Sequence, residues 1–257
     1  MLLPKEHGAY GQIAFPLIAA TGAGGLSIPG VLVTLAVLAG FLAHEPAAIA
    51  LGLRGARVRR DQGASAVRWL MCWGATGIAA AMGAWIVTAP GLRWSFAVPG
   101  VPALLLAIAM TTGREKSWYG ETLAALAFSG VPVPVMLAAG ASTDAAWAVA
   151  IPFALLFITT TLAVRVVILR VRGGGNPGAA AATRRATLAI SGAGAIGVGA
   201  LILAGHIASS ALIAAAPGLL AAAFIVLRPP PAAHLRRVGW TLVAVSTATT
   251  LVLIAAS

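Results

Sequence analysis

The sequence predicts an all-α polytopic membrane protein with about nine transmembrane helices. Three observations carry that prediction. The 257 residues are 60% hydrophobic and only 9% charged, whereas soluble domains carry roughly 25% charged residues. Apolar runs close to the ~20 residues that cross about 30 Å of hydrocarbon recur along the whole chain. The 17 Lys and Arg residues fall almost entirely between alternate runs. This composition excludes a soluble enzyme, a disordered chain and a secreted disulfide scaffold. The single cysteine, Cys72, makes no internal disulfide and no cysteine metal site.

Turn residues and charges divide the apolar runs into spans at about 9–26, 29–52, 67–89, 95–112, 120–140, 145–168, 185–205, 207–227 and 236–256. The first is the least apolar, since it carries Pro16 and the Thr21-Gly22-Ala23-Gly24-Gly25 stretch. Spans four and five contain Pro99, Pro102, Pro132 and Pro134, so kinks are expected there. Backbone groups freed by those prolines must find partners inside the bundle. The start of the chain, Pro4-Lys5-Glu6-His7, does not resemble the basic region of a cleavable signal peptide. A single transmembrane domain over 1–257 is expected.

Charge sets the expected orientation. Arg54, Arg57, Arg59, Arg60 and Arg68 lie in or beside the connection between spans two and three. Arg114 and Lys116 lie between four and five. Arg165, Arg170, Arg172, Arg184 and Arg185 flank six and seven, and Arg228, Arg236 and Arg237 flank eight and nine. With Lys5 at the N-terminus, only Arg93 falls on the other side. The positive-inside rule places the N-terminus and these connections in the cytoplasm and the C-terminus outside. The net charge of +11 is therefore a topology signal with some attraction to anionic lipid, and it does not indicate nucleic-acid binding.

An internal repeat is visible. Residues 5–12 open the first span and 115–122 open the fifth; Tyr10 precedes Arg54 by 44 residues and Tyr119 precedes Arg165 by 46. Two parallel four-helix repeats are expected at about 5–112 and 114–227, with helix nine at about 236–256. Such repeats often surround a shared cavity.

Ionisable residues in or beside a span mark candidate sites. His44-Glu45-Pro46 closes span two. Pro46 biases Glu45 away from helical geometry, so a break or bend is expected there. The pair His44 and Glu45 suits proton transfer; the plainer alternative is that Glu45 pairs with Arg54 or Arg57. Residues 52–61 read as a connecting loop that sets topology, in which Arg54 has the fork geometry for a phosphate or carboxylate. Glu121 follows Trp118 and Tyr119 at the start of span five, where it either serves a site or only offsets the helix dipole. By the repeat, Lys5, Glu6, His7, Tyr10 and Gln12 form the matching cluster. Arg165 lies one turn after Thr159-Thr160-Thr161. It would face a polar cavity; the plainer alternative for the threonines is that they bond back to their own helix. The stretch from Arg172 to Gly178 reads as a flexible loop able to close over such a cavity. His206 and His234 read as structural.

Two resemblances emerge from these residues. Pro4-Lys5-Glu6-His7-Gly8-Ala9-Tyr10 followed by Pro16, with Arg236-Arg237-Val238-Gly239-Trp240, resembles the YwiC-like family of bacterial membrane proteins. That resemblance implies the bacterial inner membrane but no reaction. More distantly, the nine-helix layout and the stretch from Lys116 to Gly130 resemble the UbiA prenyltransferase superfamily. This second likeness implies a cavity between helices, with connections 2–3 and 6–7 over it. Members of that superfamily hold Mg²⁺ on an isoprenyl diphosphate with aspartate-rich motifs. Here the 2–3 region offers only Glu45 and Asp61, and residues 159–187 contain no acid. Neither a metal site nor a cofactor is therefore carried over.

The resulting expectation is a cytoplasm-facing cavity that binds an isoprenoid or other anionic lipid, in its enzymatic form a metal-independent transferase or lyase. Arg54, Lys116, Tyr119, Arg165, His7 and Tyr10 would bind the ligand. His44, Glu45 and Glu121 would be the catalytic groups. The alternatives are a permease for a small anion or lipid, and a non-catalytic membrane scaffold.

Overall fold

The computed structural model describes Leu2, residues 7–171 and residues 177–257, and excludes the side chains of His7, Val171, Pro177 and Ala232. Ten α-helices are present: α1 (His7–Gly24), α2 (Ile28–Ala50), α3 (Ala56–Val87), α4 (Ala97–Thr111), α5 (Trp118–Gly130), α6 (Pro132–Ala138), α7 (Thr143–Val171), α8 (Pro177–Leu203), α9 (Ser210–Leu227) and α10 (Leu235–Ala255). A 3-10 turn, Pro90–Phe96, leads into α4. Taking that turn with α4, and α5 with α6, gives nine helical spans and no strand among the described residues. Eight of them are long and apolar enough to cross a membrane. The exception is α1, whose first turns carry Tyr10 and Gln12. The chain is an integral membrane protein.

The spans differ in how much of each the bundle buries. The α5–α6 span and α7 are 61% and 56% buried, while α3 and α8 are each 11% buried. The centre is therefore α5, α6 and α7. Phe153, Leu156 and Phe157 of α7 pack there with Val131, Val133, Val135 and Met136, and with Ile13 and Leu17 of α1. The apolar outer faces of α3 and α8 are left for lipid. Despite its modest hydropathy, α1 belongs to the core.

The fifth span breaks where prolines were expected to disturb it. α5 ends at Gly130 and α6 starts at Pro132. Val131 between them keeps αR dihedrals (φ −59°, ψ −36°), so the span continues while its hydrogen-bond ladder is interrupted; such interruptions need enclosure by protein, and Val131 through Leu137 are all buried. In contrast, α4 runs unbroken through Pro99 and Pro102 once the 3-10 turn has started it.

Two expectations are corrected. α2 does not break at Pro46; it continues to Ala50 with Pro46 inside it. One lost N–H donor near a helix end is tolerated when the surrounding turn is buried, as Glu45, Pro46, Ala48 and Ile49 are. Residues 56–61 are not loop either. α3 begins at Ala56, well before its apolar run. Hydropathy marks where the membrane begins, whereas Ala, Arg and Gln are good helix formers that extend the helix past that boundary.

Helices α2 and α4 end in the same way, and these two ends build the site. Gly52 has φ +80° and Gly113 has φ +68°, a conformation that glycine adopts without steric cost. Leu53 N–H bonds to Ala48 C=O and Gly52 N–H to Ile49 C=O, at 2.9 Å each. Arg114 N–H bonds to Ala109 C=O at 2.8 Å and Gly113 N–H to Met110 C=O at 3.0 Å. Both are Schellman turns, which satisfy the last helical carbonyls and reverse the chain. An ionic residue follows each glycine two positions later, Arg54 in one case and Glu115 in the other. Ser117 then caps α5 by accepting from Gly120 N–H at 3.2 Å and donating to Arg114 C=O at 2.7 Å. The connection from Gly113 to Ser117 is thus a compact turn lying against the start of α5.

Gly120 is where that turn meets the helix. A Cβ there would lie 2.7 Å from Arg114 C=O and closer still to Glu115 C=O. Both neighbours are backbone and cannot rotate away. Gly120→Ala is expected to cost about 1–3 kcal/mol, read as a lower unfolding temperature in detergent. Gly197→Ala, with nothing within 4 Å of its Cβ, is expected to cause no loss.

Candidate functional site

Arg54 leaves the α2 turn and folds back onto the helix it follows. Its Nη2 donates to Glu45 Oε2 at 2.7 Å, and its Nε lies 3.2 Å from both Glu45 oxygens. The remaining arm, Nη1, donates to Glu115 Oε1 at 2.7 Å across 61 residues of sequence. One guanidinium therefore joins the end of α2 to the α4–α5 turn. Its planar fork suits this double engagement as an ammonium would not. The Glu45 hydrogen bond chiefly, with help from Glu115 and against the effect of burial, holds Arg54 above its already high usual pKa. Arg54 is cationic at every accessible pH.

His44 precedes Glu45 and faces the same turn. Its Nε2 lies 3.2 Å from Glu115 Oε2, with side-chain exposures of 31% and 11%. The contact is not a hydrogen bond, and this buried oxygen has no hydrogen-bond partner among the described residues. Towards the membrane interior lies an aromatic row. Phe41 of α2 meets Tyr10 of α1 at 5.0 Å and Phe128 of α5 at 5.9 Å, both edge-on.

A second ion pair grips the same segment from the other side. Arg165 of α7 donates through Nη1 to Glu121 Oε2 at 3.0 Å and to Lys116 C=O at 3.4 Å. Residues 115–121 are therefore held by α2 and its following turn through Glu115, and by α7 through Lys116 and Glu121. Side-chain exposure of 27% and 36% makes this second pair wetter than the first.

The structure thus brings His44, Glu45, Arg54, Lys116, Glu121 and Arg165 to one end of the bundle, around the α4–α5 turn. Tyr10 reaches this end through Phe41, and Tyr119 packs edge-on against Trp118 at 6.5 Å. The His7 side chain, Lys5 and Glu6 lie outside the described residues, as do residues 172–176 of the expected 172–178 loop. Of the alternatives weighed from sequence, Glu45 pairs with Arg54 and not with Arg57. Arg57 is exposed and lies 4.0 Å from Asp61. Thr159 and Thr160 bond back to Leu155 and Leu156 C=O at 2.6 Å. Glu115 was not singled out from sequence, although it connects the cluster. Its signal was its position two residues after Gly113, matching Arg54 after Gly52.

No group of three or more His, Cys, Asp or Glu able to hold a metal occurs among the described residues. A small, partly open hollow of about 100 Å³, lined by Thr21, Gly25, Ser27, Gly30, Thr34 and Val135 among others, lies at the other end of α2. That is about 20 Å from His44 along the helix.

Breaking a buried ion pair costs about 3–5 kcal/mol, less where water reaches it. Arg54→Ala is therefore expected to destabilise by about 2–3 kcal/mol, measured by unfolding in detergent. Arg54→Lys should not restore the loss, because one ammonium cannot reproduce the fork. Arg57→Ala should leave stability unchanged.

The sequence profile of the YwiC-like protein family matches residues 3–136, just over half of the chain. No curated protein and no solved structure matches significantly, and neither comparison points to the UbiA superfamily. The matched region contains His44, Glu45, Arg54, Glu115 and Glu121 and ends before Arg165. With the match extending from before α1 into α6, the chain belongs to the YwiC-like protein family.

Proposed function

We propose that this membrane protein binds an anionic amphiphile, an isoprenyl phosphate or another anionic lipid, with the headgroup at the end of the bundle that carries the ionic cluster. The observation behind this reading is charge. Among the described residues, every Lys and Arg except Arg93 belongs to a helix end or connection on this side of the bundle. Arg59, Arg60 and Arg114 are exposed beside the cluster. They meet the headgroup first. Arg54 and Arg165 already hold carboxylates, so either joins the headgroup only by exchanging a carboxylate for it. The exposed apolar faces of the helices accommodate the tail. In this reading the basic end faces the cytoplasm of the inner membrane, as the positive-inside rule requires.

Transport of a small anion or lipid is a second reading. It is favoured by the interrupted hydrogen-bond ladder between α5 and α6 at Val131, since irregular spans at membrane depth recur around the binding sites of transporters. Flux of a charged solute into proteoliposomes, abolished by Arg165→Ala, would support it over static binding.

Thermal unfolding of detergent-solubilised protein with added lipid tests the first reading. Phosphatidylglycerol should stabilise more than phosphatidylcholine, and an isoprenyl phosphate more than either. The combined Arg59→Ala, Arg60→Ala and Arg114→Ala variant should lose much of that difference, at about 1 kcal/mol per cation near an anionic surface. Equal stabilisation by anionic and zwitterionic lipids would overturn it.

A further inference from the structure

We propose that the turn joining α3 to α4 binds the phosphate of a glycerophospholipid from the leaflet opposite the ionic cluster, with Arg93 as the phosphate ligand. Among the described residues, Arg93 is the one cation at this end of the bundle, the end where the orientation rule disfavours cations. The acid that shares this end is Asp144, at the start of α7. It is exposed, and no acid among the described residues pairs with Arg93. A half-buried guanidinium at the edge of the hydrocarbon without a carboxylate requires an anion from elsewhere. Lipid phosphate is the anion present at that depth.

The side chain is held in place for that role. Its Nε donates to Thr88 C=O at 3.3 Å, and its guanidinium carbon lies 5.2 Å from the centre of the Trp85 ring. Trp85 meets Phe96 in turn at 5.8 Å. Leu92 N–H bonds to Ala89 C=O at 2.9 Å, and Ser95 Oγ donates to Leu92 C=O at 2.7 Å. Leu92 and Phe96 also pack on the central core, so the turn is anchored. With Nε spent on the backbone, the two terminal amino groups remain. Neither has a hydrogen-bond partner among the described residues. Together they form the fork that takes two phosphate oxygens at once.

The surroundings favour a lipid over a free anion. One membrane span ends at Val87 and the next begins at Pro90, so the turn lies at the hydrocarbon edge. The exposed indoles of Trp85 and Trp94 suit the level of the headgroup and ester groups. Below the turn, α3 packs along α2 and α4 along α5, and the two do not pack along one another. Exposed Met82 and Ile86 of α3, with Val101 and Leu104 of α4, offer apolar surface for the acyl chains. The turn is at the opposite end of α3 from Arg59 and Arg60, and its ligand does not depend on the one proposed for them.

Native mass spectrometry of the full chain in detergent, with added dioleoyl phosphatidylcholine, tests the site. A tightly held adduct of phosphatidylcholine is expected. Arg93→Ala should weaken it about tenfold, and Arg93→Lys should weaken it less, since an ammonium supplies the charge without the fork. Dioleoylglycerol, which has the same chains and no phosphate, should bind native protein no better than it binds Arg93→Ala. Inorganic phosphate should not displace the lipid. The combined Arg59→Ala, Arg60→Ala and Arg114→Ala variant should keep the adduct, so this site and the one at the basic end succeed or fail separately. An adduct equally tight in native protein and both Arg93 variants, dioleoylglycerol bound as tightly as phosphatidylcholine, or displacement by inorganic phosphate would overturn the proposal.

Discussion

The arrangement at the basic end of this bundle depends on one guanidinium shared between two carboxylates. Arg54 holds Glu45 of its own helix and Glu115 from a turn 61 residues away. No other side-chain hydrogen bond among the described residues spans so long a stretch of sequence. The two carboxylates are 9% and 11% exposed. At that depth each carboxylate requires a cation, and the cation requires both of them to be fully engaged. The three groups therefore fix one another, and with them the relative position of α2, α3 and the α4–α5 turn.

Backbone chemistry makes the contact possible. Gly52 and Gly113 end their helices in left-handed turns, so both chains reverse over their own helix ends and do not run on into solvent. Gly120 lets the α4–α5 turn lie against α5 without a Cβ between them. From there the constraint passes to α7 through Lys116 C=O and Glu121. α7 is at the centre of the hydrophobic core with α6 and α1. A surface ion pair would contribute little to such an arrangement; this one matters because it is buried and divided between elements.

Much of the fold was legible in the sequence because membrane physics leaves few options. Nine apolar runs gave nine helical spans, and the disturbance expected at Pro132 and Pro134 appears as the break before Pro132. Helix ends were less legible. Hydropathy reports the edge of the hydrocarbon, so α3 and α8 begin several residues before their apolar runs. Pro46 was read from local preference, but tertiary burial kept α2 intact around it. In the site, charge near a span drew attention to His44, Glu45, Arg54, Glu121 and Arg165, which the structure brings to one end of the bundle. The local pairing of Glu45 with Arg54 was among the sequence alternatives, but the distant partners could not be read, because such pairing depends on which turns share an end of the bundle. Glu115 was missed for that reason, because it stands among Arg114, Lys116 and Glu121 and its spacing from Gly113 gains meaning only once both helix ends are seen.

The shared guanidinium is tested most directly by a double-mutant cycle on unfolding stability in detergent, with Arg54→Ala, Glu115→Ala and the pair combined. Residues in one ionic network couple by roughly 0.5–3 kcal/mol, whereas independent residues add. The account predicts a double variant less destabilised than the sum of the two single variants by at least about 1 kcal/mol. Strict additivity would show that Arg54 and Glu115 do not hold these turns together.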